Sequence, residues 1–327
     1  MPKKKERTGT GPQTLAEAIK YFADPAVAFD HAKALRWPSG VVKCPRCDSA
    51  DVWFLASTRT WKCKAKHPQR KFSVKIGSIM EDSPLGLDTW LAGMWMIGNC
   101  KNGISSYEIH RGLGITQKSA WFLLQRIRLA MQTGTFAKMG GSGPVEADET
   151  FIGGKARNMH KHIRKQRIRG TGGVGKELVM GLLDRETGKV HVKHVADRKK
   201  KTLQAEVTAH VEPGAEIFTD ELASYTGLDR EFVHEFVNHA ESYVRGNVHT
   251  NGIENFWSLL KRALKGTYVS VEPFHLHRYL DEQAFRYNER KHEDGDSGRF
   301  DEVLSGAFGK RLTYKQLIGD GGQAITS

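Results

Sequence analysis

Two short motifs of cysteine and histidine constrain this chain more than any other feature. CPRC supplies Cys44 and Cys47, and CKAKH follows with Cys63 and His67. Zinc takes four thiolate or imidazole ligands in a tetrahedron, and two short knuckles on facing hairpins provide such a set. The spacing therefore predicts a structural Zn²⁺ and a zinc ribbon over residues 41–76. The second knuckle, C-x3-H, departs from the usual C-x2-C.

Composition narrows the class of partner. The chain has 50 Lys and Arg against 37 Asp and Glu, a net charge of +13, which attracts polyanions and nucleic acid first among them. The sequence contains no run of 18 apolar residues, so no membrane span is predicted. Its basic first residues are not followed by the apolar stretch of a secretory signal. Cysteines that serve a metal instead of disulfides are typical of a reducing compartment, so we expect a cytoplasmic protein.

The pattern of elements predicts a multidomain chain. A helical part precedes the linker GSGP at 141–144, and a mixed α/β part follows it, in the order strand, hairpin, helix, strand, strand, helix. The predicted segments are a disordered basic tail (1–13), a helical segment (14–40), the zinc ribbon (41–76), a helical DNA-binding region (77–140), the α/β domain (141–295) and a C-terminal segment (296–327).

Residues 104–131 have the layout of a helix-turn-helix. A short helix is followed by a glycine-containing turn and by a longer helix that Thr116 caps. In such a motif the second helix would present Gln117, Lys118 and Ser119 to a major groove of DNA. The alternative is a plain helical hairpin that packs on itself.

Residues 156–176 predict a basic loop. Its end, GTGGVGKE, matches the first seven positions of a P-loop, but Glu177 stands where a Ser or Thr must hold magnesium, so we exclude a nucleotide cofactor. From Arg157 to Lys176 there are seven Lys and Arg and no acid. The loop is expected to contact a phosphate backbone, and the alternative is a solvated surface loop. The expected contacts are Arg157, Arg164, Lys165, Arg167 and Arg169.

Three acidic residues occupy positions that suit metal-dependent chemistry. Asp148 lies in a strand-like run, Asp220 ends a second one, and Glu254 begins a helix. Because side chains alternate along a strand, Glu146 shares the face of Asp148 and Glu149 does not. Two strand aspartates and a helix carboxylate could hold two Mg²⁺ or Mn²⁺ ions about 4 Å apart, an arrangement that supports attack on a phosphodiester.

At this point the chain resembles the zinc-ribbon DDE transposases of bacterial insertion sequences. The resemblance runs from about residue 20 to 290 and rests on RWPSGVVKCPRC, FSVKIGSIMEDSPLGLDTWL, VEADETFIGGK, IFTDELASY and HTNGIENFWSLLKR. It implies an RNase H-like fold for the catalytic domain and Mg²⁺-dependent cleavage and strand transfer at terminal inverted repeats. Asp148 and Asp220 match the family's first two acids.

The third catalytic residue stays open between Asn251 and Glu254, since relatives of this family use either type. An Asn followed three residues later by Glu is also a capping-box signature, which needs no metal. We favour Glu254, because a carboxylate neutralises a cation and because Lys261 lies two turns further on the same face, where it and Arg262 could hold a DNA phosphate. Phe256 and Trp257 are expected in the core.

The expected function is that of a DNA transposase, acting on double-stranded DNA as a homo-oligomer in the cytoplasm, associated with the bacterial nucleoid. One alternative is a domesticated regulator that binds DNA without catalysis. Another is a stand-alone RNase H-like nuclease, which the helix-turn-helix disfavours because a nuclease of hybrids needs no sequence reader.

Overall fold

The computed structural model describes residues 11–132, 138–153, 175–220, 223–237 and 248–319. The chain divides into two compact units. One unit joins Met1–Thr133 to Glu289–Ser327, and the other is the continuous segment Gly134–Asn288. Residues 1–10 of the predicted basic tail lie outside the described residues.

The first unit begins with two helices, as predicted for residues 14–40. Helix α1 (Leu15–Phe22) starts with a capping box in which Thr14 and Glu17 satisfy each other's backbone amides. Helix α2 (Pro25–Arg36) is capped by the Asp24 side chain and carries its proline in the first turn. A proline in the first turn needs no backbone amide, so a second helix can begin at this position.

A small antiparallel sheet follows the first cysteine motif and includes Cys63 of the second. Its strands run in the order β1 (Val52–Leu55), β2 (Thr60–Cys63) and β3 (Lys71–Phe72). Trp61 is buried and stacks on Phe29 and Phe72, with ring centroids 5.3 and 5.7 Å away. This aromatic stack is the core of a module that is too small to bury much else.

Three further helices follow in this unit, namely α3 (Leu87–Asn99), α4 (Ser106–Leu113) and α5 (Gln117–Met131). Gly114 ends α4 with a left-handed φ of 66°, a conformation that glycine adopts without steric penalty. The Thr116 side chain then caps α5. A short helix, a glycine turn and a capped second helix are therefore present within residues 104–131.

The second unit is built on one five-stranded sheet. Its strands are β4 (Val145–Ile152), β5 (Glu177–Asp184), β6 (Val190–Val195), β7 (Glu216–Asp220) and β8 (Val233–Val237), in the spatial order β6-β5-β4-β7-β8. Strands β4, β5 and β6 are antiparallel neighbours, and β5 and β6 form the predicted hairpin. Strands β7 and β8 are parallel to β4 and to each other.

Helices cover both faces of this sheet. Helix α6 (Lys200–His210) packs on the face that carries Val145, Ala147 and Ile217. Helices α7 (Asn251–Ala263) and α8 (Leu276–Asn288) pack on the other face, against Val179, Leu183 and Val190. The alternation of side chains along β4 therefore gives each face its own core.

The C-terminal helices belong to the first unit. Helix α9 (Gly295–Ser305) packs on α3, and α10 (Tyr314–Leu317) follows it. The α/β unit thus ends at Asn288, seven residues before the predicted boundary at 295. The Asn288 side chain binds the backbone of Val190 through both its oxygen and its nitrogen, which ties the end of α8 to the sheet.

None of the helices described in the chain is long and apolar enough to cross a membrane.

Candidate active site

Asp148 and Asp220 lie on neighbouring parallel strands. Val145 pairs with Ile217 and Glu146 with Phe218, and the same register carried two residues further puts Asp148 level with Asp220. The charge of Asp220 is close enough to raise the pKa of Asp148. The two carboxylates whose order in the sequence predicted a shared site are therefore neighbours on the face of the sheet that α7 covers.

Asp148 is held in an environment that disfavours its charge. Burial and the nearby Glu149 and Asp220 carboxylates raise its pKa to about 7, and the indole of Trp257 opposes them by donating a hydrogen bond of 2.9 Å to Oδ2. A carboxyl group with this pKa is only partly ionised at neutral pH. A divalent cation would stabilise its charged form.

A buried carboxylate attaches α7 to the central strand. Glu146 is 1% exposed, and its Oε1 accepts a 2.6 Å ion-paired hydrogen bond from Arg185. Its Oε2 accepts the backbone N–H of Ile253 in the first turn of α7, at 2.8 Å. Arg185 also donates to the carbonyl oxygen of His249 and to its Nδ1, at 2.7 and 2.6 Å. His249 thus helps to hold the loop before α7 against the sheet.

Two glycines allow this close approach. Gly181 on β5 lies directly opposite Asp148, and a Cβ atom there would be 2.7 Å from the ring of Trp257 and 2.8 Å from Ile253. A Cβ atom at Gly252 would lie 2.9 Å from the Glu146 carboxylate. Larger residues at either position would therefore push α7 away from the sheet.

Helix α7 presents Glu254 and Lys261 on one stripe. Successive residues of a helix are rotated by about 100° around its axis. Relative to Trp257, Glu254 is therefore rotated by about 60° and Lys261 by about 40° in the same direction. Asn251 is rotated by about 120° in that direction and lies further from the side of Trp257. Burial lowers the pKa of the Lys261 ammonium, and the charge of Asp148 opposes that shift. Lys261 is thus close to Asp148, and Glu254 shares its stripe.

The capping-box interpretation of Asn251 is wrong. Thr250 precedes the helix, and Asn251 is already its first residue. The Thr250 hydroxyl donates to Glu254 Oε1 at 3.2 Å, while the carboxylate that accepts a first-turn amide is Glu146, from a distant strand. Both Asn251 and Glu254 are exposed.

Glu149 faces away from this site, as the alternation along β4 predicts. It forms an ion pair with Arg198 and accepts a 2.9 Å hydrogen bond from the hydroxyl of Tyr225. Tyr225 is fully buried, which raises its pKa well above the ordinary value. Glu149 is therefore engaged in the core of the opposite face.

The three carboxylates do not form a compact cluster of ligand atoms. In the described parts of the chain, the groups of three or more whose ligand atoms all lie within 4.8 Å of one another do not include Asp148, Asp220 and Glu254. Two ions about 4 Å apart spread their ligands over a wider area than a single ion does. The donors are hard oxygen atoms, which suit Mg²⁺ or Mn²⁺.

The zinc ligands do come together. Cys44, Cys47, Cys63 and His67 have their ligand atoms within 4.8 Å of one another, with 3.5 Å from Cys44 Sγ to His67 Nε2 and 3.6 Å between the sulfurs of Cys47 and Cys63. A tetrahedral zinc separates its ligands by about 3.5–3.8 Å. His67 Nδ1 faces the carbonyl oxygen of Pro68 at 2.8 Å and must donate to it, so Nε2 is the nitrogen left for the metal. This cluster supports a structural Zn²⁺.

The predicted DNA-reading residues make contacts at the start of α5. Gln117 donates to the Ser106 hydroxyl at 3.0 Å, Lys118 lies over the ring of Tyr314, and the Ser119 hydroxyl accepts from Thr116. Lys118 is exposed. The five arginines and lysines expected to contact DNA from the basic loop, Arg157, Arg164, Lys165, Arg167 and Arg169, lie outside the described residues.

We expect Gly181→Ala to destabilise the α/β unit by about 1–3 kcal/mol, because the added methyl overlaps Trp257 and Ile253. Urea unfolding of the full chain, followed by circular dichroism, measures this. Gly141→Ala is the matched control, since its added Cβ meets no atom within 4 Å, and should stay within about 0.5 kcal/mol of the wild type. Equal midpoints for the two variants would contradict the close approach of α7.

Comparison with known protein families gives two matches. Residues 141–288 match the ISXO2-like transposase domain, and residues 24–66 match the transposase zinc-ribbon domain. Together these matches span more than half of the chain, and a search of curated proteins found no match. The first match covers most of the α/β unit that carries Asp148. The second includes the three predicted cysteine ligands of the zinc and ends just before His67. The chain belongs to the zinc-ribbon transposases of insertion sequences.

Proposed function

We propose that this protein is a DDE-type DNA transposase that binds the terminal inverted repeats of its element and catalyses metal-dependent DNA cleavage and strand transfer. The observation that carries the proposal is the pair Asp148 and Asp220, level on parallel strands and covered by a helix that bears Glu254. The sheet order, with three antiparallel strands followed by two parallel ones, supports an RNase H-like catalytic domain.

Asp148, Asp220 and Glu254 would hold two Mg²⁺ or Mn²⁺ ions. When bound, such ions activate an oxygen nucleophile and stabilise the departing oxygen. Glu254 is favoured over Asn251 because it shares the stripe of Lys261 beside Asp148 and because a carboxylate supplies charge. Trp257 orients the Asp148 carboxylate through its indole N–H. Lys261 and the exposed Arg262 would hold the phosphate of the bound strand.

DNA binding would be shared by the first unit and the basic loop. Helix α5 would present Gln117, Lys118 and Ser119 to the major groove, and the loop residues would contact the phosphate backbone. Two element ends have to be joined, so the working form would be a homo-oligomer on DNA. A bacterial cytoplasm, with association to the nucleoid, is the compartment that suits a reduced zinc ribbon.

We expect strand transfer by the purified protein on cloned element ends in Mg²⁺, with losses of at least about 10³-fold for Asp148→Asn, Asp220→Asn and Glu254→Gln. Asn251→Ala is the matched control on the same helical turn and should retain activity within about tenfold. Each variant is also tested for retained folding and for binding of the ends.

If Asn251→Ala loses strand-transfer activity and Glu254→Gln retains it, the third metal ligand is the side-chain amide of Asn251 and not Glu254. A wild type that binds the ends and never cuts them would support the DNA-binding regulator instead of the transposase.

We also expect Asp148→Asn to raise the stability of the metal-free protein at pH 8, by on the order of 2 kcal/mol. The pKa of about 7 in the folded chain exceeds the unfolded value of about 4, so ionising Asp148 costs the folded state stability. That cost is absent below about pH 4, grows as the pH rises to about 7 and is constant above it.

The measurement is urea unfolding at pH 4 and pH 8, with and without Mn²⁺. Mn²⁺ should stabilise the wild type at pH 8 and leave Asp148→Asn almost unchanged. Asp229→Asn, at an exposed position in the same unit, is the control: its stability should match that of the wild type at both pH values, and Mn²⁺ should stabilise it at pH 8 as it does the wild type. A loss of stability in Asp148→Asn at pH 8 would show that the buried charge imposes no cost.

A further inference from the structure

A second group of metal-ligating side chains lies away from the acidic face, the side of the sheet that carries Asp148 and Asp220 and is covered by α7. His191 on β6 faces Glu206 and His210 on α6, and one ligand atom from each lies within 4.8 Å of the others. Strand β6 is at the edge of the sheet, and α6 covers the face opposite to α7. The group therefore belongs neither to the zinc ribbon nor to the Asp148 face.

The secondary structure explains why the three residues meet. Glu206 and His210 are four positions apart on α6, so they lie on one face of the helix, one turn from each other. On β6, Val190 and Val192 point into the core on the α7 side, so the alternate residues His191 and Lys193 point toward α6. Lys193 accordingly forms a 2.9 Å ion pair with Glu206 Oε1.

Hydrogen bonds leave suitable donor atoms for a cation. His210 Nδ1 faces the carbonyl oxygen of Glu206 at 2.9 Å and must donate to it, which leaves Nε2 as the nitrogen with a lone pair. Lys193 takes one oxygen of Glu206, while the other, Oε2, is buried and has no hydrogen-bond donor among the described residues. It lies 3.8 Å from His210 Nδ1.

The two imidazole rings are stacked. Their centroids are 3.9 Å apart and their planes make an angle of 23°. Lone pairs of stacked rings run side by side, so one ring must turn for both to point at one ion. The outer torsion of histidine has a broad energy profile, and a turn of His191 leaves the hydrogen bond between His210 and the Glu206 carbonyl in place.

We propose that His191, Glu206 and His210 bind a second zinc ion, which cross-links the edge strand β6 to helix α6. Two imidazoles and one carboxylate are a ligand set that zinc accepts with a fourth position open to water. The ion would tie the outer part of the sheet together on the side away from Asp148. The proposed ion does not depend on the proposed chemistry of Asp148, Asp220 and Glu254.

The first test is the zinc content of the purified full chain after dialysis against zinc and then against buffer. His210→Gln should hold one equivalent of zinc less than the wild type. His194→Gln is the matched control, because His194 is on the same strand but pairs with Glu177 and alternates to the other face. It should hold as much zinc as the wild type, and so should Asp148→Asn. When the ribbon is already filled, added zinc should raise the melting temperature of the wild type, His194→Gln and Asp148→Asn but not that of His210→Gln.

Equal zinc content in the wild type and His210→Gln would overturn the proposal. Loss of zinc in Asp148→Asn alone would assign the additional ion to the acidic face, which also overturns it while supporting the proposed catalytic site.

A second measurement needs no substitution at the site and covers the case in which His210→Gln fails to fold. Cobalt added to the Asp148→Asn protein with a filled ribbon should give strong visible absorption of a four-coordinate site without the thiolate bands of the ribbon. If cobalt gives no visible absorption of a four-coordinate site, the proposal is wrong.

Discussion

Helix α7 is joined to strand β4 by the buried carboxylate of Glu146, and the geometry of the acidic face depends on that contact. One oxygen accepts from Arg185 and the other accepts an amide of the first turn of α7. An isolated buried carboxylate would be strongly unfavourable, so Glu146 is tolerated because both oxygens are bonded. The same contact fixes the position of α7 along β4. It thereby brings the Trp257 indole to Asp148 and places Glu254 one helical turn before Trp257.

The acidic face combines a rigid frame with an unfavourable charge. Gly181, Trp257 and Ile253 pack without space between sheet and helix, whereas Asp148 keeps a carboxyl group whose ionisation is opposed by burial and by two neighbouring acids. Functional sites commonly retain such locally unfavourable groups, at the expense of stability. Here the rest of the unit, with separate apolar cores on the two faces of the sheet, supplies the stability that the site lacks.

Sequence patterns predicted the elements well and their mutual contacts poorly. Alternation along β4 correctly separated Asp148 from Glu149, and cysteine spacing identified the ligand cluster of the ribbon. Phe256 and Trp257 are in the core as predicted, but nothing local indicated that the Trp257 indole also binds Asp148. Nothing in the sequence set Arg185 apart as the partner of Glu146 and His249. Such contacts join residues far apart in the chain, and periodicity carries no information about them. A glycine inside a strand, such as Gly181, was the one available signal of close approach.

The discontinuity of the first unit has a consequence for biosynthesis. Phe300 of α9 packs against Phe22 and Trp95, which are translated a whole domain earlier. The segment Gly134–Asn288 is continuous and can fold as soon as it leaves the ribosome, whereas the part translated first must wait for the part translated last. Until then Phe22 and Trp95 lack their contact with Phe300, so a truncated product would contain a complete α/β unit and an incomplete helical one.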